Sequence, residues 1–234
     1  MKKEIAFLSI GFALIAFLLV GCSQPKVSDA GGQPTIVGTV GVSTETAAPA
    51  TGKVQVSSFT TQEGCQNLIT NQDIGAAGFD VNLLAAAFYG HTYGETGCSG
   101  GFMLQETING KSTAVITDVR LDIAFNSDIA TANEGEFKDK KEKMTVGYKF
   151  NVGESYNYET IYREDVEDNG LVYAQKLCVS GSPNCKIFVN FMLITKAKHT
   201  ILVSTNADDS YPDFVSKYKP KVIALGRILL EKIE

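Results

Sequence analysis

The sequence predicts an α+β domain, a central and mostly antiparallel β-sheet flanked by helices, and three observations carry that prediction. Asn109-Gly110 stands between two apolar runs, the strongest short hairpin signal, because both residues accept the positive φ of a tight turn. Ile187-Phe188-Val189-Asn190-Phe191-Met192-Leu193-Ile194 is apolar on both faces, which reads as a central strand covered on each side. Tyr211, Phe214, Val215, Tyr218, Val222, Leu225 and Leu229 recur at helical spacing and would supply cover.

The chain begins with Lys2 and Lys3, then an apolar run from Ile5 to Val20 that ends in Leu19-Val20-Gly21-Cys22. A charged start, an apolar middle and small residues at the end make a secretory signal. Cysteine directly after Leu-Val-Gly resembles the bacterial lipoprotein signal. That resemblance implies removal of residues 1–21 as a signal peptide and a diacylglyceryl group on Cys22. The run is just under the roughly 17 to 25 residues that cross a hydrocarbon core, and two acyl chains anchor stably where one holds marginally. The expected location is the extracytoplasmic face of a cell membrane, reached through lipid.

Residues 22–58 comprise the lipidated cysteine and a stretch rich in Gly, Ser, Thr, Ala, Pro and Val, with few large apolar side chains to offset ordering entropy. They read as a tether with an end-to-end distance of roughly 33 Å. Residues 59–234 then form one globular domain. Residues 1–21 hold two lysines and one glutamate, so their removal takes the net charge from −5 to −6. An acidic domain argues against nucleic acid, whose binders neutralise phosphates with Lys and Arg.

Within the domain, Thr70-Asn71-Gln72-Asp73 has the form of a helix start, with Thr70 able to cap. Val81 to Tyr89 suits a helix by propensity or a buried strand, and periodicity leaves both open. Gly94 to Gly101 reads as a bend, and Phe102 to Ile108 as the first arm of the hairpin. The returning arm alternates. Val115, Thr117, Val119, Leu121, Ile123 and Phe125 face a core, while Ile116, Asp118, Arg120, Asp122 and Ala124 face water, the three charged residues as a solvated ladder. Ser127 and Asp128 would cap a helix with a thin stripe of Ile129, Phe137 and Met144 and a solvated charge run at 138–143. Strands are expected at 144–152, 156–163, 171–179, 185–195 and 200–204. Pro220 suits a first helical turn and breaks an interior, so the C-terminal stripe divides into a short turn from Tyr211 and a main helix from Pro220.

Outside the cytoplasm, the four remaining cysteines suggest disulfides. The turn-like segment 179–184 favours Cys178–Cys185, and Cys65–Cys98 follows by elimination. Neither a C-x₂-C pair nor paired histidines are present, so no metal or other cofactor is expected. Gly97-Cys98-Ser99-Gly100-Gly101 matches G-x-S-x-G, with His199 downstream as a base and Asp118, Asp165 or Asp168 as an orienting acid. That motif needs a strand before it and a helix after it, and the flanking residues supply neither. Cys98 with His91 could form a thiol and base, which a disulfide at Cys98 would preclude. Tyr156, Tyr158 and Tyr162 fall on one strand face; their apolar bodies and polar tips suit an envelope protein or a saccharide, or a place at the edge of the core.

The layout as a whole carries a second resemblance. Cys65, Leu68, Ile69, Thr70, Asp73 and Ile74, with Val152-Gly153-Glu154 and the closing Ala224-Leu225-Gly226-Arg227-Ile228-Leu229-Leu230, resemble uncharacterised envelope lipoproteins with a PsbP-like fold. The resemblance covers about residues 60–234 and implies an antiparallel sheet flanked by helices and an accessory or binding role without catalytic residues. Because no complete catalytic set emerges, the expectation is a lipid-anchored binding or accessory module. The alternative is a lipid-anchored serine hydrolase using Ser99 and His199.

Overall fold

The computed structural model describes residues 56–93 and 97–233, so the signal segment, Cys22 and most of the tether lie outside the described residues. A 3-10 turn at Val56–Thr60 carries Phe59 into the core. Thr61 caps helix α1 (Gln62–Gln66), and Thr70 caps α2 (Asn71–Ala76) in a reciprocal capping box with Asp73. After a short 3-10 turn, strand β1 runs Leu84–Tyr93, so the apolar run that propensity left open is a strand. It pairs with β2 (Gly97–Ile108), which turns at Asn109-Gly110, both at positive φ, into β3 (Lys111–Asp122).

The described part of the expected bend, 97–101, is therefore strand. At Gly101 a Cβ would lie 2.5 Å from the Thr117 carbonyl oxygen of β3, so glycine there serves close approach of two strands.

Helix α3 (Ser127–Lys143) then packs on one face of the sheet. The chain continues through β4 (Lys149–Val152), β5 (Tyr156–Val166), β6 (Gly170–Val179), β7 (Cys185–Ile194), β8 (Thr200–Asp208) and α4 (Phe214–Ile233). The eight strands form one antiparallel sheet in the order β1-β2-β3-β8-β7-β6-β5-β4. Two meanders join where β3 meets β8, and the class is α+β.

The sheet's two faces differ in cover. The α4 face carries the main core, in which Phe102, Val119, Val189, Phe191 and Val203 pack with Tyr218, Leu225 and Leu229, and α1 and α2 add Cys65, Leu68 and Ile74. The α3 face carries a small cluster of Phe137, Met144, Leu171, Tyr173, Met192 and Ile194.

Several expected boundaries move. Asn126 caps α3 in place of Ser127 and Asp128, its Oδ1 accepting from the Asp128 and Ile129 amides at 3.0 Å each. The strand expected at 144–152 shortens to β4, because Met144 ends α3 and a turn bonds the Tyr148 amide to the Thr145 carbonyl. Phe125 lies beyond the end of β3 and is exposed. Pro220 sits inside α4 without splitting it. The Ser216 carbonyl that it deprives of a donor is on the exposed side, while Phe214, Tyr218, Val222 and Leu225 bury one stripe across it, outweighing a proline cost of about 3 kcal/mol.

Two disulfides pin the fold. Cys178–Cys185 closes the β6–β7 hairpin between directly paired residues, and Cys65–Cys98 ties α1 to β2. A Cβ at Gly90 would lie 1.8 Å from the Cys65 carbonyl oxygen, so β1 must have glycine where α1 crosses it. Beside it the Gln62 amide donates to the Gly90 carbonyl at 2.9 Å and accepts from the Thr92 amide at 3.3 Å.

Candidate functional site

Ser99 lies inside β2, paired with Arg120, and is not on a strand-to-helix turn. His199 lies between β7 and β8, where its Nδ1 accepts from the Ala124 amide at 2.9 Å. Through Arg120 the ladders align Ser99 with Leu202. Two strand spacings and three residues along β8 therefore separate Ser99 from His199, about 14 Å. Asp165 is bonded to Arg163 at 3.0 Å, and Asp168 is exposed. The hydrolase residues are not brought together. The Cys98 sulfur is bonded to Cys65, and the His91 side chain lies outside the described residues.

The three tyrosines do not share a face. An extra residue, Ile161, bulges between Thr160, opposite Gln175, and Tyr162, opposite Ala174. Tyr156 and Tyr158 stay on the α3 face, where Tyr158 stacks on Phe150 with centroids 4.8 Å apart. Tyr162 turns to the α4 face, where its hydroxyl meets Glu164 and accepts from Lys219 at 3.0 Å.

The densest cluster of titratable groups is on the α4 face. Glu106, only 6% exposed, accepts from the hydroxyls of Tyr211 and Tyr218 and from Lys217 Nζ at 2.7 Å. Burial would raise its pKa, but bonds from Lys217, Tyr211 and Tyr218 outweigh burial and hold it below the ordinary value. Burial and then Glu106 push the Tyr211 and Tyr218 hydroxyls up, which makes them poorer nucleophiles. The set clamps the first turns of α4 to β2, with each donor matched to an acceptor.

The α3 face is different. Strand register sets two polar rows across it, Asp118–Ser204–Asn190–Tyr173 and Ile116–Asn206–Phe188–Gln175. Asn190 is 7% exposed; Asn206 and Gln175 are also buried, and Asp118, Ser204 and Phe188 are half-buried. Asn206 Nδ2 reaches the Ile116 carbonyl at 3.4 Å, and Gln175 Nε2 reaches only the Met144 sulfur. Among the described residues, the side chains of Asp118, Ser204 and Asn190 make no hydrogen bond. Their polar atoms still reach solvent, since among the described residues the fully buried side-chain atom without a partner is Arg163 Nε.

Burial raises the Asp118 pKa. This corrects the solvated ladder: Asp118 is half-buried and unpaired, and Asp122, 8% exposed, holds Arg120 at 2.9 Å. The signal that could have found the site is Asn190, a polar residue in a strand whose apolar run marks both faces as covered.

Two open grooves, about 520 Å³ beside α4 and about 700 Å³ beside α3, are lined by charged side chains that are ion-paired or exposed. Among the described residues no three His, Cys, Asp or Glu side chains converge as for a metal ion. None of the described helices is long and apolar enough to cross a membrane.

No family model matches the chain, and no curated protein matches it. Among solved structures it is similar to CalU16 from Micromonospora echinospora, at 10% identity and a TM-score of 0.31, over 56% of this chain and 85% of that one. It is similar to the extracellular domain of PknH from Mycobacterium tuberculosis at 11% identity and a TM-score of 0.34, over 57% of this chain and 64% of that one. A third similarity is to LpqN, described as involved in cell envelope biogenesis of the same organism, at 8% identity and a TM-score of 0.28, over 55% and 68%. Likeness at this level says nothing of function.

Proposed function

We propose that the protein is a lipid-anchored, extracytoplasmic binding or accessory module of the cell envelope, built on a PsbP-like domain, which presents its α3 face to a partner. The carrying observation is the polar set at Asp118, Ser204 and Asn190, low in exposure and without a protein partner yet still in reach of solvent, whose hydrogen-bonding capacity is left for a bound ligand. Leu19-Val20-Gly21-Cys22 supports the anchor. The partners are the membrane, through Cys22, and an envelope protein or a saccharide at the face; the acidic charge disfavours nucleic acid. The role is non-catalytic.

The test is the intact mass of membrane-extracted protein, with and without reduction, together with what it retains from the envelope. The expected species starts at Cys22, carries at least two acyl groups, has no free thiol, and loses its partner on Asn190→Leu. An unacylated chain that keeps residues 1–21 overturns the anchor. Retention that ignores Asn190→Leu overturns the face, and ester cleavage that vanishes on Ser99→Ala replaces the module with the hydrolase.

A further inference from the structure

We propose that the open part of the α3 face binds a saccharide without acidic groups, with the Phe188 ring as platform and Asp118, Asn190 and Asn206 as its hydrogen-bonding rim. The inference rests on the binding-module reading and names its ligand class.

In the ladder, Phe188 lies between Asn206 on β8 and Gln175 on β6, and Asn190 is two residues along the same strand face. A half-buried ring is thus bordered by three primary amides, with a carboxylate beyond Ser204. Phe188 and the three amides are neighbours about 5 to 7 Å apart, and Asp118, two strands across and two residues along from Phe188, is about 12 Å away, so a ligand of two or more sugar units can touch the ring, the amides and the carboxylate together. A sugar ring has an apolar C–H face that packs on an aromatic ring, and its edge of hydroxyls both donates and accepts. Amides match that edge in both directions, and a carboxylate accepts from two hydroxyls.

The charges exclude acidic ligands. Arg120 is committed to Asp122 and Glu136. Lys186, four residues along β7 from Asn190, is about 16 Å from Asp118, well beyond a Debye length. Asp118 therefore meets a ligand without an opposing cation. Depth disfavours a flat protein surface, because Asn190 and Asn206 are more than nine-tenths buried and can be reached by a ring edge but not by a broad contact.

The experiment is retention of the full-length, detergent-extracted, oxidised protein on a glycan array holding neutral, amino and acidic oligosaccharides, repeated with Asp118→Asn, Asn190→Ala and Phe188→Ala. Thermal unfolding of each variant checks that it folds. One or more neutral or amino glycans should be retained and acidic ones should not, and each substitution should weaken retention at least about tenfold. A blank array, retention of acidic glycans alone, or retention indifferent to all three folded variants overturns the proposal. If the array is blank while the same variants lose a co-purifying envelope protein, the saccharide falls and the binding module stands. If neither responds, both fall.

Discussion

On the α4 face Glu106 takes three donors and the Thr117 hydroxyl bonds that of Thr205 at 3.0 Å, whereas on the α3 face Asn190 and Asp118 take none. The two sets lie on opposite sides of one sheet and both include buried groups. Paired polarity fixes a helix against strands, since each bond has only one arrangement that satisfies it. Unpaired polarity does nothing for the free fold and leaves hydrogen-bonding capacity for something else.

The contrast can be broken from either side. The largest effect is expected from Glu106→Ala, which strands two buried hydroxyls and an ammonium and should lower the unfolding free energy by about 4 kcal/mol in urea titration. Replacing Cys65 and Cys98 by serine releases a 33-residue loop and should cost about 3.5 kcal/mol, against about 2.5 kcal/mol for Cys178 and Cys185, seven residues apart. Asn190→Leu goes the other way: removing an unpaired amide should raise stability by about 1 kcal/mol in the same titration while it abolishes partner retention.

The subtlest difference is in pH dependence. Glu106, held below its ordinary value of 4.5, contributes stability that is present above that value and lost as pH falls through the folded pKa. Asp118, raised above 3.8 by burial, contributes stability that is present below 3.8 and lost as pH rises through the folded pKa. Urea midpoints between about pH 3 and about pH 7 should therefore show Asp118→Asn gaining on the wild type as pH rises, and Glu106→Gln losing least at the acid end. Parallel curves for all three proteins would remove the distinction.

Much of the frame was legible in the residues. The Asn109-Gly110 turn, the alternation from Val115 to Ile123 and the doubly apolar β7 each follow from local chemistry. The β6–β7 disulfide follows from the short turn between its cysteines. Tyr162 was not legible, because a single bulged residue reverses every later side chain of a strand and leaves no periodic mark in advance. Pro220 misled because burial on both sides of it outweighs a local preference. Asp118 looked solvated because alternation tells which residues share a face but not whether tertiary structure covers it. Asn190 was visible as a polar residue in a strand, but its lack of a protein partner depends on which strands stand beside β7, which the order of strands decides.

The Gln62 amide at β1 stands where the peptide group of a ninth strand would be, donating to Gly90 and accepting from Thr92. A foreign strand cannot run the length of that edge without displacing it. Among the described strands, the opposite edge is β4. An object with one usable edge can form a closed pair and then stops, while one with two can grow into a filament. A single glutamine side chain thus limits how neighbouring molecules can join strand to strand at β1.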